Sequence, residues 1–127
     1  MIIAGLGCRR GAPAAFIEAA VMAALREAGL ARTALGGLAT AASKTTEPGM
    51  RDAAHAFSLE LRGLTPEALR AVAGGCVTHS PRVMEMLGVP SLAEAAALAG
   101  AGPGAILIQA RVTIAGEATC ALARGLA

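Results

Sequence analysis

The hydrophobic positions of this chain fall into short apolar runs and longer segments with helical spacing. A short run that ends in glycine is typical of a buried strand, and apolar residues three or four positions apart indicate a helix. Residues 1–6 form the first run, and the segment between Pro13 and Gly29 has helical spacing. The apolar positions of this helix are Ile17, Val21, Ala24 and Ala28. The chain therefore begins with a strand, a glycine-rich loop and a helix.

The same alternation continues through the first half of the chain. Residues 35–42 are apolar and predict a second strand, Pro48 suits the first turn of another helix, and residues 58–62 predict a short third strand. Strands that alternate with helices favour a sheet that is at least partly parallel.

Three further helices are predicted from their start signals. Thr65 and Ser80 are each followed by proline, a favoured pair at a helix N-terminus, and predict helices that reach about Val72 and Leu87. Ser91 with Glu94 three residues later is a capping box, which predicts a helix over residues 91–99. The stretch between the first two of these helices is predicted as a loop.

The last part of the chain returns to strands. Residues 105–108 and 118–123 are apolar, and Gly116-Glu117 lie near the turn between them, so an antiparallel pair is expected. The predicted fold class is α/β, a three-layer α/β/α sandwich with a mixed, mainly parallel sheet of about five strands. Residues 1–127 are expected to form a single domain.

Composition excludes several classes of protein. The chain is 55% hydrophobic and 16% charged, which excludes disorder and suggests that a partner, such as a second copy, covers part of the surface. A net charge of +2, with Phe16 and Phe57 as the only aromatic residues, argues against nucleic acid as a partner. No apolar stretch approaches the roughly 20 residues of a membrane span.

The cysteines predict neither disulfides nor a metal centre. Cys8, Cys76 and Cys120 are odd in number and far apart in the sequence. Cys76 and His79 form a Cys-x-x-His pair, but a first-row metal needs more ligands than this pair supplies. We expect a cytoplasmic protein with free thiols, no metal and no cofactor.

Three polar segments are candidates for a binding site. They follow predicted strands or precede a helix and comprise residues 7–11, 40–47 and 78–82. In open α/β sheets, ligands collect outside the carboxyl ends of the strands, so these segments are expected to meet there.

The first segment suits an anion. Gly7 and Gly11 offer backbone amides, and Arg9 and Arg10 offer guanidinium groups. The glycine spacing is one residue longer than the dinucleotide fingerprint, and no acidic residue ends the second strand, so nucleotide binding is disfavoured. The alternative is a tight turn whose arginines lie in solvent.

The other two segments have equally simple alternatives. Lys44 and Glu47 either bracket a substrate or form a solvated ion pair with each other. Ser80 and Arg82 at a helix start also suit an anion, although helix capping by Ser80 alone would explain the serine.

The segments resemble, in the same order along the chain, the CobE family and the related carboxyl-terminal domain of CbiG. The matching stretches are GLGCRRG at 5–11, Ala39-Thr40 leading to Lys44 and EPG at 47–49, Ser80 with Val83, GVPSLAEAAAL at 88–98 and ATCALAR at 118–124. This resemblance implies a role in building the corrin ring of cobalamin. It assigns substrate binding to Gly7, Cys8, Arg9, Arg10, Gly11, Thr40, Lys44, Glu47 and Ser80. The family usually has an aspartate or similar residue before the lysine where this chain has Ala42-Ser43, so catalytic residues stay unassigned.

The resemblance implies three hypotheses about activity. The first is binding or carrying a precorrin intermediate, whose acetate and propionate groups would pair with the basic residues. The second follows CbiG, which opens a ring lactone of a cobalt-precorrin and releases acetaldehyde, with Lys44 or Glu47 as the proton-transfer group. Because the resemblance does not reach the amino-terminal region of CbiG, binding is the simpler inference. The third is a scaffold that docks a precorrin methyltransferase or another enzyme of the pathway.

Overall fold

A computed structural model describes residues 1–126 and contains five main strands and five main helices. The strands are β1 Ile2–Cys8, β2 Leu35–Ala41, β3 Leu61–Leu64, β4 Ile106–Ile114 and β5 Ala118–Arg124. The helices are α1 Ala14–Ala28, α2 Pro48–Phe57, α3 Pro66–Ala71, α4 Pro81–Leu87 and α5 Leu92–Ala101. Short 3-10 turns cover residues 32–34, 42–44 and 73–75.

The strands form one mixed sheet in the order β3-β2-β1-β5-β4. β1 and β2 pair in parallel, as do β2 and β3, whereas β5 runs antiparallel to both β1 and β4. All strands except β5 therefore point the same way. The predicted mixed sheet of about five strands and the antiparallel pair at its end are confirmed.

Helices cover both faces of the sheet and complete the predicted three-layer sandwich. On one face, α1 and α2 pack against β-strand residues such as Leu6 and Leu38. On the other face, α3, α4 and α5 pack against residues such as Ile3 and Ala39. Neighbouring strand residues thus point into different cores, as the two-residue period of a strand requires.

Helix α5 lies unusually close to β1 because glycine leaves room for its backbone. A Cβ atom on Gly5 would lie 1.9 Å from the carbonyl oxygen of Ala93. A Cβ atom on Gly7 would lie 3.8 Å from the Leu92 side chain, and one on Gly100 would lie 3.1 Å from the Ile3 side chain. Helix α5 therefore runs opposite to β1 and starts at the carboxyl ends of the parallel strands.

The start signals of the three later helices are confirmed by hydrogen bonds. The side chains of Thr65, Ser80 and Ser91 each accept a hydrogen bond from the backbone N–H three residues later. Side-chain capping of this kind stabilises a helix by about 1 kcal/mol.

Two strands differ from the prediction in extent. β3 starts at Leu61 because Ser58, the predicted first residue, ends α2 in a left-handed conformation with φ 54°. β4 continues beyond the predicted residue 108 to Ile114. It then turns through residues 115–117, where Ala115 and Gly116 have φ angles of 54° and 68° and the Glu117 N–H donates to the Ile114 carbonyl oxygen at 2.9 Å.

No single helix within residues 1–126 is long and apolar enough to cross a membrane. α4 and α5 meet the length and hydropathy criteria only when taken together, across a bend of 57°.

Candidate binding site

The loop that follows β1 presents two arginines at the carboxyl edge of the sheet. We call residues 8–11 the arginine loop. The backbone N–H of Arg9 donates to the carbonyl of Glu117 at 2.9 Å, which fixes the loop beside the β4–β5 turn. Gly11 has φ 74°, a conformation that glycine adopts without strain. Arg9 and Arg10 are exposed, and in the described chain their guanidinium groups make no hydrogen bond within the protein.

Lys44 and Glu47 both hold the backbone of the arginine loop. The Lys44 Nζ donates to the carbonyl oxygen of Cys8 at 3.0 Å. The Gly11 N–H donates to the Glu47 Oε1 at 2.8 Å. Within residues 1–126 the two side chains form no ion pair with each other. The sequence left open whether they pair or bracket a substrate, and the structure shows them joining the first two candidate segments.

Cys8, at the end of β1, carries a thiol that is held in its protonated form. Burial raises the pKa of the Cys8 thiol, the nearby Lys44 ammonium lowers it, and the Glu47 carboxylate raises it. Since burial is the largest of these effects, the thiol lacks the lowered pKa that marks a reactive cysteine.

Thr40 and Gly7 lie beneath the loops instead of facing solvent. Thr40 is 0% exposed, and its hydroxyl donates to the carbonyl oxygen of Leu6 at 2.8 Å. Gly7 is buried, and a Cβ there would lie 2.6 Å from the Thr119 Oγ1. These two residues therefore support the strand ends and do not offer polar groups at the surface.

Ser80 lies at the same edge of the sheet, above the start of α5. Its N–H donates to the carbonyl oxygen of Pro90 at 2.8 Å, next to the Ser91 cap of α5. Leu92, the first residue of α5, lies over Gly7 at the end of β1. The third segment is thus at the predicted edge, but the Ser80 hydroxyl accepts from the Val83 N–H and so serves as a helix cap.

A buried carboxylate connects the third segment to β4. Glu94 is 0% exposed. Its Oε1 accepts hydrogen bonds from the N–H groups of Val77 and Thr78 at 2.8 and 2.9 Å. Its Oε2 accepts from the Thr78 hydroxyl at 2.5 Å and the Arg111 N–H at 2.9 Å. Although burial alone raises the pKa of Glu94, the hydrogen bonds outweigh it, so the pKa is lowered.

The sequence assigned Glu94 only to a capping box. The serine half is confirmed, because the Ser91 Oγ accepts from the Glu94 N–H. In a capping box the glutamate side chain bonds the N–H of the cap residue. The Glu94 carboxylate instead accepts from the N–H groups of residues 77, 78 and 111. A single acidic residue in the apolar stretch SLAEAAAL was the one available signal for a buried, hydrogen-bonded carboxylate.

Cys76 and His79 occupy different environments. The Cys76 thiol is buried and donates to the carbonyl oxygen of Ser91 at 3.7 Å, whereas His79 is exposed. Among the residues that the structure describes, no three His, Cys, Asp or Glu side chains are grouped so that they could hold a metal ion.

Comparisons with known proteins by sequence and by structure both find proteins of cobalamin biosynthesis. The family model for the cobalamin synthesis G C-terminus matches residues 2–123. Protein CobE of a Sinorhizobium species is 34% identical over 122 residues, which are 96% of this chain and 79% of that protein.

Solved structures extend this result to the fold. The crystal structure of CobE, a protein from the cobalamin (vitamin B12) biosynthetic pathway, superposes with a TM-score of 0.91 at 36% identity and covers 99% of this chain and 91% of that one. The cobalamin biosynthesis protein chiG of Agrobacterium tumefaciens matches over 100% of both chains, with a TM-score of 0.79 and 40% identity. A cobalamin biosynthesis protein G homologue from Sulfolobus solfataricus shares the fold with a TM-score of 0.70 at 21% identity, and the match covers 99% of this chain and 37% of that one.

Proposed function

The chain belongs to the cobalamin synthesis G C-terminal family and thus to cobalamin biosynthesis, and from this premise we propose that it binds a precorrin intermediate at the carboxyl edge of its sheet. The proposed role is to hold or carry this intermediate between enzymes of the pathway.

The observation that carries the proposal is the arginine loop. Arg9 and Arg10 are adjacent, exposed and mounted on a loop whose backbone is held by Lys44 and Glu47. Precorrins carry acetate and propionate groups around a flat, largely apolar ring. Guanidinium groups bind carboxylates with two parallel hydrogen bonds, and a loop that is already ordered loses little entropy when it binds.

Lys44 adds a third positive charge without leaving its structural position. An ammonium group has three N–H donors, and the bond to the Cys8 carbonyl occupies one of them. The other donors are available to a carboxylate at the edge of the arginine loop. Lys44 is half-buried, which reduces the screening of its charge by water.

Binding is tested by titrating the protein into hydrogenobyrinate and following the absorption spectrum of the corrinoid. The chain has no Trp or Tyr and therefore interferes little. We expect affinity to fall as salt rises, and the double variant Arg9→Ala, Arg10→Ala to bind about tenfold more weakly, since two exposed charge pairs contribute roughly 0.5–1 kcal/mol each. Arg26→Ala is the matched control, because Arg26 is exposed in the last turn of α1. Failure to bind any precorrin or hydrogenobyrinate tested would contradict the proposal.

Lys44 can be observed directly because it is the sole lysine of the sequence. Growth with lysine that is ¹³C-labelled at the ε carbon labels this side chain alone and keeps the three N–H donors of its ammonium group. Addition of hydrogenobyrinate should shift the Lys44 NMR signal as the ligand binds. An unchanged Lys44 signal under saturating ligand would remove this residue from the site.

Binding is favoured over lactone opening because the candidate proton-transfer groups already have other roles. Lys44 and Glu47 each hold the arginine loop, and the Cys8 thiol has a raised pKa. Incubation with the lactone-bearing cobalt-precorrin and an assay for acetaldehyde separates the two activities. If the protein releases acetaldehyde and the variant Lys44→Ala does not, the chain is a hydrolase instead. If the protein captures an enzyme of the pathway, and the double variant Arg9→Ala, Arg10→Ala captures it equally well, the scaffold hypothesis is favoured.

A further inference from the structure

Large apolar side chains are exposed on one segment at the carboxyl edge of the sheet. We call residues 77–87 the methionine segment. Val77 is 64% exposed, Met84 45% and Met86 70%. Of the other large exposed hydrophobic residues of the described chain, Met22 lies on α1. Met1, Ile106 and Leu126 lie at the opposite end of the sheet, where β1 and β4 begin and β5 ends. Clustered exposed apolar residues usually mark a surface that contacts something.

Both ends of α4 are fixed at the carboxyl edge of the sheet. At its start, the Ser80 N–H is bonded to the Pro90 carbonyl beside the start of α5, which lies over Gly7. At its end, Leu87 lines a small cavity together with residues 41–43 at the end of β2. Helix α4 therefore lies across the strand ends, on the α5 side of the sheet. The arginine loop leads to α1 on the opposite side.

Helical spacing places the two methionines on the two flanks of α4. Val83 and Leu87 are partly buried against the α5 core, and they define the inner face of α4. At 100° per residue, Met84 and Met86 lie on either side of that face, and Glu85 lies opposite to it. The methionines thus border the surfaces that flank α4, and the acidic residue of the helix points away from the sheet.

We propose that one flank of α4 in the methionine segment, carrying either Met84 or Met86, is the apolar wall of the binding site, against which the flat ring of the corrin intermediate lies. This inference rests on the proposed function and specifies which part of the ligand is recognised. The segment offers apolar area at the same edge at which the arginine loop offers charge. Methionine is flexible and polarisable, so it adapts to a large ring surface in a chain that has few aromatic residues.

The charges around the apolar residues complement this ligand. Arg82 is exposed on α4 itself, and Arg9 and Arg10 are exposed on the arginine loop. An apolar wall with a basic margin fits a ring that carries carboxylates at its periphery. It fits an apolar protein partner less well, because such a partner would have to bury these charges.

The methyl groups of methionine provide the test. The sequence has five methionines, so ¹³C-methyl labelling gives a small set of NMR signals that single variants can assign. On titration with hydrogenobyrinate, we expect the Met84 or Met86 signals to shift in proportion to bound ligand. The signals of Met22, exposed on α1, and Met50, on the buried face of α2, should stay in place.

Affinity measurements with matched variants complete the experiment. The double variant Met84→Gln, Met86→Gln should bind hydrogenobyrinate about tenfold more weakly. The salt dependence of binding should stay unchanged, because the charge contacts remain. Met22→Gln should stay within twofold of the unchanged protein. Circular dichroism confirms that each variant is folded.

The possible failures are distinguishable. If the protein binds hydrogenobyrinate and the double methionine variant binds equally well, the apolar wall is wrong and the proposed function stands. If no corrinoid binds, the proposed function fails and the wall fails with it. If the methionine signals shift with protein concentration instead of ligand, the segment is a contact between copies of the chain, and the inference is overturned.

Discussion

Replacing Glu94 by glutamine tests the structural role of the buried carboxylate with almost no change of shape. The Gln amide oxygen can still accept from the N–H groups of Val77 and Thr78. Its NH₂ group then takes the place of Oε2 and faces the Thr78 hydroxyl and the Arg111 N–H. The hydroxyl can rotate and accept, but the Arg111 N–H is left opposite another donor.

The expected loss follows from this one unsatisfied donor and from the loss of charge. An unsatisfied buried group costs about 1–3 kcal/mol, and hydrogen bonds to charged groups are stronger than neutral ones. We expect Glu94→Gln to lower the free energy of unfolding by about 2–3 kcal/mol, which lowers Tm by roughly 10 °C for a chain of this size. Glu85→Gln makes the same chemical change at an exposed position of α4 and should stay within about 0.5 kcal/mol.

The pH dependence of the difference provides a second measurement. Because the pKa of Glu94 is lowered in the folded protein, its stabilisation is complete above the ordinary value of 4.5 and is lost as pH falls through the folded value. Urea unfolding of both proteins should therefore show a constant difference above about pH 5 and a narrowing difference in stronger acid. If Glu94→Gln matches Glu85→Gln at pH 7, or if the difference persists unchanged in acid, the reasoning is refuted.

Three other changes have definite expected outcomes. Ala115→Gly should raise the free energy of unfolding by about 0.5–1 kcal/mol in a urea titration, because Ala115 has φ 54° in the hairpin turn. If the free energy of unfolding does not rise, the conformation of Ala115 is unstrained. Gly5→Ala should lower Tm by more than 10 °C, since the new Cβ meets the backbone of α5, whereas Gly74→Ala, which meets nothing within 4 Å, should leave Tm nearly unchanged. A thiol reagent should modify Cys8 before Cys120, because Cys120 is fully buried and burial raises the pKa of its thiol. Equal modification rates of the two cysteines, measured by mass spectrometry, would contradict the described packing.

Local signals in the sequence predicted most of the fold. The caps at Thr65, Ser80 and Ser91 act over three residues, so their side chains and targets can both be read from a short window. β3 was displaced because Ser58 takes a left-handed conformation at the end of α2, which its residue type does not signal. The position of β5 between β1 and β4 depends on pairing over more than 100 residues and is not visible in any local pattern.

The candidate site was predicted in position and less well in detail. The carboxyl ends of parallel strands meet at one edge, which explains why Lys44 and Glu47 reach the arginine loop across 36 residues. Thr40 was placed with the loop residues, but the pairing of β2 with β1 buries it against Leu6. The contacts of Glu94 are 16 or 17 residues distant and arise only when α5 packs on the sheet. That these residues bind a ligand stays a prediction.

The central position of β5 affects how the protein forms during synthesis. β1 is made first and pairs with β5, so that Ile2 lies opposite Arg124 and the Gly125 N–H donates to the Met1 carbonyl oxygen at 2.9 Å. Until the ribosome has delivered residue 124, β1 lacks one neighbour and has an open apolar edge in the middle of the future sheet. A nascent chain that is stalled before this strand would expose a surface that chaperones bind, even with every helix already made.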